Sequence, residues 1–273
     1  MSVVVQMDRD FGDANASIFN VAPVQSGGTV LVMFNLQPSW CNTVALMYEP
    51  RCRETHLIES ADAAHVVWSK PRNITSQLVG GANPPWTRTR NPTAVTPGPG
   101  LELSDGTLLV PGYGCSQPAG ATCVTYALNS TMRSWALLST DKGQHWRLGG
   151  ESDAISAAEP MVAQIPGSDT LLMNARSLQW PHDDKPHPDR FRLYSTSSDR
   201  GDTWAVAAPG AFAPLVGPSC QASFVSSGRD LLFANPANQV ARLDMTLRVS
   251  TDAARTWQSH LVYPNSSWYS TAH

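Results

Sequence analysis

The chain has 273 residues, 42% of them hydrophobic and 15% charged, with a net charge of −3. That length suits one large all-β domain or two small ones, and the apolar content excludes a mainly disordered chain. The charge balance leaves no electrostatic footprint for nucleic acid or an acidic membrane, and no apolar run approaches the roughly 18 residues of a membrane span.

Met1–Gln6 has neither a basic segment nor a long apolar one, so no signal peptide is read there. Glycosylation triplets begin at Asn15, Asn73, Asn129 and Asn265. Chance supplies about one or two in a chain this size, so they are weak support for a secretory-pathway protein. The five cysteines are too few for a disulfide scaffold. Cys41/Cys52 and Cys115/Cys123 are close enough to staple hairpins, leaving Cys220 alone. Five buried thiols is the alternative reading.

In chain order, Ser17–Ala22 and Thr29–Phe34 read as strands about a turn at Gln25–Gly28. Residues 37–54 form a polar loop, and Thr55–Glu59 begins another strand. Ser60-Ala61-Asp62 leads, after one extra residue, to Trp68. A Pro/Gly-rich loop spans residues 80–100. Then come three strand–turn–strand units: Leu101–Leu103 with Thr107–Pro111, Met161–Ile165 with Thr170–Asn174, and Ala222–Val225 with Asp230–Ala234.

The pattern S-x-D-x-G-x-x-W organises these units. It occurs at Ser139–Trp146 and Ser197–Trp204, and at Ser250–Trp257 with Ala254 in the Gly place. Short Ser and Asp side chains bond the backbone of a tight turn, Gly accepts positive φ, and Trp anchors the turn below. With the decayed copy at Ser60–Trp68, the boxes are 79, 58 and 53 residues apart, about one propeller blade each. Each repeat reads as inner hairpin, outer strand, box and last strand. Helix has almost no place. The segment Trp180–Asp189 concentrates His and Asp, but its prolines break any regular ligand face. It reads as a solvated loop, and no metal or cofactor is expected.

Polar residues recur at fixed places in successive repeats. Glu159 stands before an inner strand and Arg176 at the end of its hairpin partner. Arg242 lies in the matching region of the next repeat, and Tyr269 in the one after. Inner strands of a propeller deliver their ends to a central mouth, where these four side chains would converge.

The boxes, Glu159, Asn174-Ala175-Arg176, Phe233–Ala237, Arg242 with Thr246–Ser250, and Tyr269-Ser270 together resemble the exo-α-sialidase family. Trp68–Asn73 and Pro97–Gly100 narrow the likeness toward the animal lysosomal branch. The resemblance implies a six-bladed all-β propeller, incomplete here with about four to five blades, as a single domain over 1–273. It implies hydrolysis of terminal sialic acids from glycoproteins, glycolipids or oligosaccharides, and a lysosomal or secretory setting. The family holds the sialic acid carboxylate with three arginines, and Arg176 and Arg242 match two of them. Its nucleophile is a Tyr. Tyr269 matches that residue, and Glu159 matches the base it needs.

The chain also departs from the family. The first Arg of the triad and the general-acid Asp precede the first clear strand pair in the family, and Asp8, Arg9, Asp10 and Asp13 match no motif. A late carboxylate that follows the family's Tyr is unmatched as well. A fragment or incomplete gene model is the expected cause, and a decayed paralogue the alternative. Without the acid, leaving-group protonation loses about 10²–10⁴-fold. The 273 residues by themselves are therefore expected to turn over sialosides little. A non-catalytic sialoglycan-binding propeller is the second reading. A propeller with an unrelated protein-binding role is the third.

Overall fold

The computed structural model describes residues 5–41, 52–60, 62, 64, 67–78, 88–90, 93–118, 131–178 and 191–270. Among these, helix is limited to α1 (Met7–Phe11), a 3-10 turn at Thr75–Gln77 and isolated residues. The rest is built on antiparallel strands. The chain forms two compact units. One comprises Met1–Met132 with Ala136–Gly149, the other Arg133–Trp135 with Gly150–His273.

The first sheet follows chain order: β1 (Ser17–Ser26), β2 (Thr29–Gln37), β3 (Glu54–Glu59) and β4 (Arg72–Asn73). Its first turn is tighter than expected. β1 runs on to Ser26, which pairs with Thr29, so Gly27 and Gly28 alone make the connection. Gly27 takes φ +57°, the left-handed value such two-residue hairpins demand. Leu31, Met33, Phe34, Leu57 and Ile58 are buried, and Phe34 stacks on His56 at 5.8 Å.

The second sheet holds β5 (Arg88–Arg90), β6 (Ala94–Val95), β7 (Leu101–Glu102), β8 (Leu108–Pro118), β9 (Met132–Ser139) and β10 (Arg147–Glu151). The 11-residue β8 pairs along its length with three short pieces, β7, β6 and β5. The other two sheets again follow chain order. One is β11 (Ala157–Gln164), β12 (Leu171–Ser177), β13 (Leu193–Ser197) and β14 (Ala205–Val206). The other is β15 (Ser223–Ser227), β16 (Asp230–Pro236), β17 (Met245–Ser250) and β18 (Gln258–Tyr263). Inner strand β11 is buried over seven consecutive residues, as a strand covered on both faces must be. β17 alternates strictly between half-buried and buried positions. Phe224, Phe233, Leu231 and Met161 form the apolar centre of the second unit.

Each box joins the third and fourth strands of its repeat, as the pattern predicts. The bonding is the same in all three, except that the His145 ring stands in the first where the others use a Thr hydroxyl. Ser197 Oγ donates to Asp199 Oδ1 at 2.8 Å and accepts from Gly201 N at 2.8 Å. The Asp199 carboxylate also accepts from Thr203 N (2.9 Å) and Thr203 Oγ1 (2.6 Å). Asp252 repeats these contacts with Ser250 and Thr256. Asp141 binds Ser139 Oγ, His145 N and His145 Nδ1. In the decayed copy Asp62 Oδ1 accepts from Val67 N, five residues on instead of four, which accommodates the extra residue. Ala254 adopts φ +65° where Gly201 has +91°, so the worn box keeps its turn at the cost of a strained alanine. Trp146 and Trp204 are buried, and Trp257 packs on Phe233 at 6.1 Å. Gly150 is required by close approach. A Cβ there would lie 2.6 Å from the Asp202 carbonyl oxygen and 2.7 Å from Thr203 Cα.

Cys41 and Cys52 are joined by a disulfide, with Cα atoms 5.5 Å apart. Cys220 is a buried free thiol. Asn15, Asn73 and Asn265 are exposed. Cys123, Asn129 and the Trp180–Asp189 loop lie outside the described residues. Among the described residues no group of three or more His, Cys, Asp or Glu is placed to hold a metal ion, and no helix is long and apolar enough to cross a membrane.

Candidate active site

The site begins at an irregularity in β11. The β11–β12 register slips between Ala158 and Met161, so Glu159-Pro160 form a bulge. Glu159 sits there at φ +42°, a conformation that costs a non-glycine residue about 1–3 kcal/mol and persists only where its surroundings enforce it. A bulge re-aims a side chain. Glu159 is 6% exposed, and Arg176 Nη1 donates to its Oε2 at 2.7 Å. Arg176 reaches it from β12, directly across from Ala158. Tyr269 donates its hydroxyl to Glu159 Oε1 at 2.9 Å, across 110 residues of sequence. The carboxylate thus bridges a guanidinium and a phenol.

Burial works against the Arg176 charge, but Glu159 and Tyr269 outweigh it, and the guanidinium is held above its ordinary value. Tyr269 is 53% exposed, so the phenol opens to solvent from a buried carboxylate. Arg242 is not bonded to these three. Its guanidinium lies over the Trp268 ring, 4.5 Å from the centroid, and its carbonyl accepts from Ser267 N at 2.8 Å. It is tied to the segment just before Tyr269 rather than to Glu159. Arg248, the next arginine along the chain, is buried in β17. It donates to Asn235 Oδ1 at 2.6 Å and lies over Phe233. Glu151, a nearby carboxylate in sequence, lies 3.9 Å from Arg133 Nε.

Sequence reasoning missed the turn Ser219-Cys220-Gln221 and the buried Arg192. Ser219 Oγ accepts from Arg176 Nε at 3.4 Å and donates to the Ser177 carbonyl at 2.7 Å. Cys220 Sγ donates to the Trp268 carbonyl at 3.5 Å, and Gln221 Oε1 accepts from Ser270 N at 3.0 Å. Burial pushes the Cys220 thiol up, against the opposing pull of Arg242 and Arg176. One positional signal was available. Ser219–Gln221 enters inner strand β15 just as Ala158–Pro160 enters the body of β11. A separate cavity of about 430 Å³ in the same unit is lined by Ile155, Phe191, Val206, Phe212 and Pro214 among others. None of the four candidate residues lines it.

Residues 2–270 match the family of BNR repeat-like domains. The chain belongs to the sialidase family. Its fold, all-β and built from antiparallel sheets, is of the sialidase-type β-propeller class. Human Sialidase-4 (Homo sapiens) is 30% identical over 171 residues, covering 62% of this chain and 32% of that protein. This chain thus spans about a third of that sialidase's length. Among solved structures, the Hadza microbial sialidase Hz136 aligns with a TM-score of 0.77 at 22% identity, over 99% of this chain and 51% of that one. Trypanosoma rangeli sialidase aligns in its complex with the inhibitor DANA (TM-score 0.69, 19% identity, 94% and 41%). Its covalent intermediate with 2,3-difluorosialic acid gives the same score and identity, over 96% and 41%.

Proposed function

We propose that this sialidase-family chain carries part of the machinery for removing terminal sialic acids from glycoproteins, glycolipids or oligosaccharides, with Tyr269 as nucleophile and Glu159 as its base. The observation that supports this most directly is the Tyr269–Glu159–Arg176 contact. A free phenol titrates near pH 10 and is a weak nucleophile at neutral pH. A carboxylate at 2.9 Å from its oxygen gives the proton a destination. The phenol oxygen would bond to the anomeric carbon as the bond to the leaving oxygen breaks, its own proton would pass to Glu159, and the departing alkoxide would take a proton from water. Water would then release the sugar with retention. A phenol suits this substrate, since a carboxylate nucleophile would be repelled by the carboxylate on the anomeric carbon. Arg176 and Arg242 would hold that carboxylate, Arg176 from a site already loaded with Glu159 and Arg242 from its seat over Trp268.

No Asp among the 273 residues matches the family's general acid, so the polypeptide as given would turn over sialosides slowly and would act chiefly by binding them. The same lack favours a non-catalytic sialoglycan-binding role as the second reading. The disulfide Cys41–Cys52 favours an oxidising setting such as the secretory pathway or lysosome.

Incubation with 2,3-difluorosialic acid followed by peptide mass spectrometry tests the nucleophile. The expected adduct is on Tyr269 and is absent from Tyr269→Phe. An adduct elsewhere overturns the assignment, and binding without any adduct supports the second reading. Turnover of a fluorogenic sialoside at a rate like that of intact sialidases overturns the expectation of slow hydrolysis.

A further inference from the structure

Arg192 stands just before β13 and is 5% exposed. Among the described residues it has no carboxylate within ion-pair distance, and its partners are neutral acceptors. Nε donates to Asn174 Oδ1 at 2.7 Å, Nη1 to the Cys220 carbonyl at 2.6 Å and Nη2 to the Asn174 carbonyl at 3.4 Å. Its guanidinium lies 5.8 Å from the Phe233 ring centroid. Burial pushes it down to about 10, so it stays cationic at neutral pH, and it feels Glu159 and Arg176 through space.

Both ends of this fork lead to the candidate site. Asn174 lies two residues before Arg176 on β12, on the same side of the strand. Cys220 is the middle of a three-residue bracket. Ser219 holds Arg176, the Cys220 thiol holds the carbonyl of Trp268, and Gln221 holds the amide of Ser270. The bracket thus grips the chain on both sides of Tyr269 and one flank of Arg176. The only side-chain donor bonded to its central carbonyl, among the described residues, is Arg192.

We infer that Arg192 is a positioning residue. Its planar fork ties β12 to the Ser219–Gln221 bracket and so sets the distance between Arg176, Glu159 and Tyr269. A lysine would keep the charge but could not span Asn174 and Cys220 from one rigid plane. Arg248 is a matched control. It is buried, bonds an Asn Oδ1 and lies over the same Phe233 ring, yet among the described residues its contacts do not reach the bracket.

The test compares Arg192→Lys, with Arg192→Gln as a second variant, against Arg248→Lys in the full chain, using two readouts. The first is affinity for DANA, and it rests on the function proposed above. A misplacement of about 1 Å can slow a reaction about 100-fold, and DANA, held by the same groups, should respond on a similar or smaller scale. The Arg192 variants should therefore bind about 10- to 100-fold more weakly, with Arg248→Lys near the unsubstituted chain. The second is the rate of Cys220 alkylation by iodoacetamide under native conditions, which needs no sialic acid chemistry. The Arg192 variants should alkylate about tenfold faster or more as the bracket loosens, again unlike Arg248→Lys. Equal alkylation of the Arg192 and Arg248 variants, or unchanged DANA affinity in Arg192→Lys, overturns the inference. If the unsubstituted chain binds no DANA, the functional reading falls, and the positioning role is then decided by alkylation alone.

Discussion

The box turns and the candidate site use similar chemistry at opposite ranges. In a box, one Asp carboxylate takes its hydrogen bonds from side chains and amides within a few residues, as Asp199 does from Ser197 and Thr203. In the site, one Glu carboxylate takes its bonds from residues 17 and 110 positions away. The box is half exposed and repeats three times with the same geometry. Glu159 is buried, occurs once, and stands on strained backbone. Local polar closure stabilises a turn wherever it is repeated. Distant polar convergence builds a unique place, and it depends on the packed sheets to hold it.

That contrast can be broken experimentally, and the largest effect should come from the site. Arg176→Ala removes a buried partner of Glu159 and a proposed carboxylate ligand. Truncating one member of a buried charge pair costs about 2–5 kcal/mol, so DANA affinity should fall at least about thirtyfold. Affinity within twofold of the unsubstituted chain, measured by calorimetry, would remove Arg176 from the site. On the box side, Gly150→Ala drives a methyl into the backbone of Asp202 and Thr203. Overpacking of this kind costs about 1–3 kcal/mol. Urea unfolding should show that loss, while the folded fraction binds DANA normally. A large loss of affinity would mean that box and site are not separable.

The smallest effect should be the acid response of the boxes. A backbone hydrogen bond from His145 leads the causes that hold Asp141 down to about 2, and a side-chain bond from Thr256 leads those that hold Asp252 there. Both lie below the ordinary carboxylate value of 3.8. A carboxylate depressed in the folded state stabilises it fully above its unfolded value and loses that contribution as pH falls through the folded one. Melting temperature should therefore drop between about pH 4 and pH 2. Asp252→Asn should flatten part of that slope and leave the neutral-pH affinity for DANA untouched. An unchanged slope would show that these bonds also survive in the unfolded chain.

The boxes were legible because the Ser and Asp hydrogen bonds that close each turn lie within eight residues, so their spacing alone gave strand order and repeat length. Strand ends were less so. β1 extends four residues past its expected end because the Gly27-Gly28 pair, not Gln25 or Ser26, supplies the turn. The candidate residues could be selected by type and position in the repeat, but not their contacts. Glu159 touches both Arg176 and Tyr269, whereas Arg242 contacts Trp268 and Ser267 in the segment before Tyr269.

Local chemistry within the chain determined the all-strand character, the repeat and the box turns, because short polar side chains and permissive residues close such turns without help from afar. Only the tertiary structure decided the bulge at Glu159, the bracket at Ser219–Gln221 and the burial of Arg192. Those depend on which strands pack together and on where a buried charge must find its acceptors, and neither is written within any one segment.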